Sequence, residues 1–267
     1  MEDEYRMFPT RTPSMQQFAA PHGPQRIQYV RLALAQLRAG KLVLLDNIVG
    51  CGGVFGRLKD DGIRMREIWH GAEVSRLSAP PPLPPDLASP STFCYQELRP
   101  GRRLEVSKRD AACYFDQLML PHGLTKFMGR PRIWRDELVG AGCTPEELEQ
   151  FLSGDSAADR DWWYPAARVW GMGFSWSSAV GQQVLVELCR RAGLHRDLVL
   201  SPSLPVPESL ELQFAVATDD VMIFSDVPDG SRAAAGALDE EMRRAGVQRK
   251  PEKDVHSTTD TRCIGID

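Results

Sequence analysis

Phe214 to Asp226 reads FAVATDDVMIFSD, and this stretch decides the fold. Two runs rich in β-branched and aromatic residues flank a bare pair of carboxylates, Asp219 and Asp220. Locally this spells a β-hairpin whose tight turn carries Asp-Asp. Acidic residues are common in turns, and a solvated Asp-Asp turn needs no chemistry to explain it. The pair gains meaning from what stands elsewhere in the chain.

Upstream, Trp162 to Gln183 reads WWYPAARVWGMGFSWSSAVGQQ, aromatic residues mixed with Gly171, Gly173, Ser175, Ser177 and Ser178. Val184, Leu185 and Leu188 then signal a helix that Gly193 ends. Small residues at a helix start let a ligand or another backbone approach closely. The tryptophans could stack on bases, but at this density aromatic residues are more often core. Earlier still, Leu104 and Val106 suggest a short strand that ends near Asp110. The residues after it suit a helical turn presenting Tyr114 or Phe115. A strand that delivers Asp at its end is one way to present a metal ligand; a lone Asp there is more often a helix cap. Downstream of the hairpin, Arg232 to Ala245 reads as a helix capped by Gly246.

The N-terminal part is organised differently. Residues 1–23 lack periodicity and read as a flexible lead-in. Ile27, Val30, Leu34 and Leu37 recur at helical spacing between Pro24 and Gly40. Lys41 to Arg66 holds the apolar runs Leu42 to Leu45 and Val54 to Leu58, then an Asp60-Asp61-Gly62 turn into Ile63 to Ile68, so the second and third runs form a hairpin. Its flanking Arg57, Lys59, Arg64 and Arg66 could grip phosphates through charge-assisted bonds or form a solvated face. Pro80 to Pro85, PPPLPP, is a stiff extended connection, with Leu83, Leu87 and Phe93 available to lie against a core. Thr144-Pro145-Glu146-Glu147 is a helix start with a capping box.

Composition is that of a soluble globular chain: 267 residues, 42% hydrophobic and 25% charged, with a net charge of −4. That charge gives no global case for nucleic-acid binding, although a local basic cleft is compatible with it. Cys51, Cys94, Cys113, Cys143, Cys189 and Cys263 form no CxxC pair, which argues against a zinc site. The acidic start MEDEYRMFPTR does not read as a signal peptide, and no run approaches the roughly 18 apolar residues of a membrane span. The expectation is an intracellular protein, cytoplasmic or nuclear, with reduced thiols and no membrane partner.

In this order the parts resemble the palm of reverse transcriptases, most nearly the retrotransposon type. Asp110-x4-Phe115-x-Gln117-Leu118 resembles the family's first palm motif, Met172-Gly173-Phe174-Ser175-Trp176 the second, and Thr218-Asp219-Asp220-Val221-Met222-Ile223 the third. Gly246 through Lys253 resembles the downstream "G…P-x-K" element, and Lys59 through Trp69 the fingers hairpin. The match covers roughly residues 41–267. It departs from the family at Ala217, where an aromatic residue is usual, at Gly171 in place of Pro, and at His70 and Ser75 in the fingers.

The resemblance implies an α+β fold: a palm with an antiparallel sheet and ferredoxin-like core over residues 104–267, preceded by a partial fingers region over residues 24–103, with no thumb. It implies RNA-directed DNA synthesis, with RNA template, DNA primer and dNTPs as partners. Asp110, Asp219 and Asp220 would be the catalytic residues and the ligands of Mg²⁺ or Mn²⁺, since hard cations take carboxylate oxygens and nucleotidyl transfer uses a pair of them. Lys59, Arg64 and Arg66 would neutralise the triphosphate. Phe115 would pack beneath the ribose, Gly173 would line the nucleotide, and Lys253 would assist near the leaving pyrophosphate. The alternatives are a catalytically silent remnant, binding nucleic acid or without function, and an unrelated metal hydrolase. The last lacks any HExxH-type pattern among five dispersed histidines.

Overall fold

The computed structural model describes residues 7–9, 18–59, 62–96, 98–154, 156–209 and 211–261. In chain order the elements are α1 (Gly23–Arg38), β1 (Leu42–Leu45), β2 (Gly53–Leu58), β3 (Met65–His70), α2 (Ala72–Leu77), β4 (Glu105–Asp110), β5 (Ile133–Trp134), α3 (Arg135–Gly140), α4 (Pro145–Phe151), β6 (Trp162–Ala167), α5 (Ser175–Arg191), β7 (Gln213–Ala217), β8 (Asp220–Ser225), α6 (Gly230–Arg244) and β9 (Val255–Thr258). Contacts divide the chain into two units, Met1–Pro81 with Leu118–Ser177 and Pro82–Gln117 with Ser178–Asp267. Among the described residues no helix is long and apolar enough to cross a membrane.

The first unit holds a three-stranded antiparallel sheet in the order β1-β6-β5 and the separate hairpin β2–β3. Leu42, Leu44, Trp163 and Ala166 are buried in that sheet. Of the four tryptophans in Trp162 to Gln183, Trp163 and Trp170 are core residues, while Trp162 and Trp176 are only partly buried. The α1 face is Tyr29, Val30, Ala33, Leu34 and Leu37. Ile27, expected on that face, is instead 56% exposed. It lies a turn ahead of the packed residues and lines a cavity of about 330 Å³ with Arg26 and Glu137. The α4 capping box forms as its sequence dictates, with Glu147 N donating to Thr144 Oγ1 at 3.2 Å and Thr144 N to Glu147 Oε2 at 3.0 Å.

The second unit is a four-stranded antiparallel sheet in the order β7-β8-β4-β9. Its elements follow one another as β4-α5-β7-β8-α6-β9, which with that strand order is the ferredoxin-like βαββαβ arrangement. One face of the sheet buries Val106, Ala215, Met222 and Phe224 together with Ala88 and Leu200. The Phe93 ring packs edge-on to Phe224 with centroids 5.7 Å apart. Leu87 bridges to Val216. Leu83 does not join this core and is exposed; a polyproline segment presents three faces, and not all of them can meet one core. Cys263 lies outside the described residues.

Alternation along β4 sends Arg109 to a different face from Asp110. Arg109 is 2% exposed. Its Nε and Nη2 donate to Asp239 of α6 at 2.6 and 3.1 Å. Its Nη1 donates to the carbonyls of Lys108 at 2.8 Å and Val255 at 3.0 Å. Arg249 pairs with both Asp239 and Asp254, so two arginines and two aspartates tie α6 and the β9 approach to the back of β4. Breaking a buried ion pair leaves an uncompensated charge. Arg109→Met is therefore expected to lower unfolding free energy by about 3–5 kcal/mol, read as a shift in the urea midpoint.

Candidate active site

The β7–β8 hairpin closes one residue earlier than its sequence suggests. The loop is Thr218–Asp219, while Asp220 already belongs to β8 and pairs with Ala217. Thr218 takes up the left-handed conformation, φ 59°, and Asp219 N donates to Ala217 O at 2.8 Å. A left-handed residue is what a tight hairpin loop demands, and Thr218 supplies it, so the second carboxylate is carried on a strand instead of the turn.

Two residues of α5 that sequence reasoning passed over hold this turn. Gln182 is fully buried. Its Oε1 accepts from Thr218 N at 2.8 Å, and its Nε2 donates to Val216 O and Asp86 O, both at 3.1 Å. One amide side chain thus satisfies backbone groups of β7 and of the turn and ties them to Asp86. At Gly181 a Cβ would meet Tyr114 at 3.1 Å, Phe115 at 3.3 Å and Thr218 at 3.6 Å. The missing side chain lets α5 pass that close, and Tyr114 Oη donates to Gly181 O at 2.8 Å. Phe115, half-buried, thereby stands near the hairpin turn. The signal for both was present as Gly181-Gln182, an unusual pair inside an apolar helix.

The first carboxylate reaches the same place from β4. Asp110 is the register partner of Asp220, and Ala111 N donates to Asp219 O at 3.0 Å. Asp110 is itself clamped: Lys250 Nζ bonds Oδ1 and Lys253 Nζ bonds Oδ2, the latter at 2.8 Å. Lys108 Nζ lies 3.5 Å from Asp220 Oδ2, a diagonal cross-strand pair. Burial pushes the Asp110 carboxyl up, but the two ammonium groups outweigh it and hold the group below the usual range. Asp219 is pushed up by burial and then by the charges of Asp220 and Asp110. Asp220 is raised chiefly by burial, against the pull of Lys108. Lys253 is raised by its bond to Asp110.

Asp110, Phe115, Asp219, Asp220 and Lys253 all belong to the second unit; Lys59, Arg64, Arg66 and Gly173 belong to the first. Arg64 and Arg66 are exposed on or beside the β2–β3 hairpin, and Lys59 N donates to Arg64 O at 2.8 Å. Asp60 and Asp61 lie outside the described residues. Gly173 has φ 113°, and a Cβ there would stand 2.1 Å from Trp69 O. That close approach to β3 is a packing reason for glycine. The first unit also has a cavity of about 750 Å³, lined by Asp46, Asn47, His122, Lys126 and Arg168 among others. None of the candidate site residues read from the sequence lines it.

The donor chemistry around Asp110 fits a hard divalent cation: carboxylate oxygens, one of which, Asp220 Oδ1, is buried without a hydrogen-bond partner. Among the described residues, however, no three His, Cys, Asp or Glu side chains are gathered into a preformed metal-binding group. Lysine ammonium groups take both oxygens of Asp110.

No family model and no curated protein matches the sequence. Among solved structures the chain is similar to the foamy viral protease–reverse transcriptase dRH in complex with double-stranded DNA, with TM-score 0.62 and 13% identity, over 96% of this chain and 36% of that one. The chain thus spans about a third of that protein's length. A likeness at this identity shows the fold, which is reverse-transcriptase-like and α+β.

The burial and repulsion that raise the Asp219 carboxyl destabilise the folded state. A folded-state pKa above the unfolded value costs stability in full above the folded pKa, and the cost vanishes below the unfolded one. Asp219→Asn is expected to raise the thermal midpoint at pH 8 and to lose that advantage as pH falls through the carboxylate range, measured by scanning calorimetry across pH.

Proposed function

We propose that the chain is the fingers–palm part of an RNA-directed DNA polymerase of retroelement origin, joining dNTPs to a DNA primer on an RNA template. The observation that carries this reading is the pairing of Asp110 on β4 with Asp220 on β8, beside Asp219 in the hairpin turn. Within a reverse-transcriptase-like fold, carboxylates from β4, from β8 and from the β7–β8 turn are the donors that two-metal nucleotidyl transfer asks for.

Asp110, Asp219 and Asp220 would hold Mg²⁺ or Mn²⁺, which when bound would lower the pKa of a primer 3′-hydroxyl and neutralise phosphate charge. The chain's own groups do the rest. Phe115, fixed beside Tyr114 and Gly181, offers an apolar ring to a sugar. Lys253, 54% exposed and kept protonated by Asp110, offers a positive charge and a proton to a departing phosphate. Lys59, Arg64 and Arg66 are read as the hairpin cations for the triphosphate.

A second reading, a nucleic-acid-binding module without turnover, draws on the lysine pairing of Asp110 and on Ala217 in place of an aromatic residue. Primer extension on an RNA template with Mg²⁺ or Mn²⁺ separates the two. The polymerase reading expects incorporation by the wild type that Asp110→Asn and Asp219→Asn abolish. Absence of incorporation, or incorporation undiminished in Asp219→Asn, overturns it; salt-sensitive RNA or DNA binding without incorporation supports the second reading.

A further inference from the structure

Asp110 is held by the segment Arg249 to Asp254, and Lys250 has the firmest hold. Lys250 N donates to Asp110 O at 2.9 Å. Its Nζ pairs with Asp110 Oδ1 and also donates to Ala111 O at 3.3 Å. The residue therefore grips Asp110 with main chain and side chain together. Lys253 adds one contact, to Oδ2, and its side chain is 54% exposed against 21% for Lys250.

The segment cannot easily withdraw. Lys253 N donates to Lys250 O at 2.9 Å and Pro251 opens the intervening 3₁₀ turn. The flanking Arg249 and Asp254 pair with each other, and Arg249 Nε also lies 3.3 Å from Asp239 Oδ1. Arg109, 2% exposed, completes that set of ion pairs from the back of β4. The Lys250 main chain is thus fixed, and only its four-carbon side chain has freedom to leave the carboxylate.

We propose that Lys250 is a built-in counter-ion for Asp110 that competes with divalent cations for the Oδ1 atom, setting a threshold for metal loading. This rests on the reading of Asp110 as a metal ligand. A divalent ion that takes Oδ1 must first break a partly buried, charge-assisted hydrogen bond, the stronger kind in a protein. Lys253, exposed and bonded to the other oxygen, gives way more readily and sets a smaller part of the threshold. Lys108 neutralises Asp220 from the β4 side in the same manner, at the longer distance of 3.5 Å.

The test is Mn²⁺ titration of the full chain, followed by the electron paramagnetic resonance signal of free Mn²⁺, with circular dichroism as the check on folding. Lys250→Met is expected to bind Mn²⁺ about tenfold more tightly than the wild type, the factor that loss of one charged hydrogen bond corresponds to. Lys250→Gln, which keeps a polar side chain of similar length, is expected to tighten binding in the same direction and serves if the methionine variant does not fold. Lys250→Arg keeps the charge and is expected to stay within about twofold of the wild type, while Lys253→Met tightens binding less than Lys250→Met does. Affinity unchanged or weakened in both neutral variants overturns the proposal, as does absence of Mn²⁺ binding in every variant. Tighter binding by Lys250→Met in a chain that extends no primer supports this inference while defeating the polymerase reading. Wild-type extension with unchanged Mn²⁺ affinity in the neutral variants defeats this inference alone.

Discussion

The antiparallel pairing of β4 with β8 sets Asp110 opposite Asp220 at the end of both strands, and the rest of the second unit answers the electrostatic cost of that register. A register fixed by one buried face cannot slip by a residue without turning that face outward. Val106, Met222 and Phe224 on the two strands are buried, so hydrophobic packing at one end compels like charges to meet at the other. Two carboxylates at close quarters in a buried position repel, and either a proton or a cation must relieve them. Here lysines do so for Asp110 and Asp220, from the neighbouring strand position and from the turn before β9.

Much of this was legible in the sequence, and the reasons differ by element. The β-hairpin, α5 and α6 carry strong periodicity with glycine stops at Gly193 and Gly246, both of which adopt positive φ. The capping box at Thr144 is a local rule obeyed locally. The exact loop of the hairpin was not legible, because whether the turn closes on Thr218 or on Asp220 depends on which residue accepts the left-handed conformation, and on Gln182 bonding Thr218 N from α5, 36 residues away. Ile27 was misplaced for a related reason: periodicity names a face but not where that face runs out of partners.

Among the candidate site residues, the three aspartates carry an order and spacing that a sequence displays openly. Lys250 and Lys108 do not. A lysine two residues before an aspartate on a strand reads as an exposed position, and its diagonal approach to Asp220 exists only once β8 is paired. Lys250 sits in a charged segment, Arg249-Lys250-Pro251-Glu252-Lys253, where nothing local distinguishes it from Lys253; its bond to the Asp110 main chain is what sets it apart. Gly173 shows the reverse situation. It stood out as a position where a ligand could approach, and the atom that does approach is the carbonyl oxygen of Trp69.

The central proposal is that Asp110, Asp219 and Asp220 would together hold a divalent cation at the end of β4 and β8. Anomalous diffraction at the manganese edge from crystals soaked in Mn²⁺ addresses it most directly. The account predicts a manganese peak bound by carboxylate oxygens of Asp110 and of the Asp219–Asp220 pair, with the Lys250 ammonium displaced from Asp110. Manganese found elsewhere on the chain, with Lys250 still seated on Asp110 at saturating metal, would contradict it.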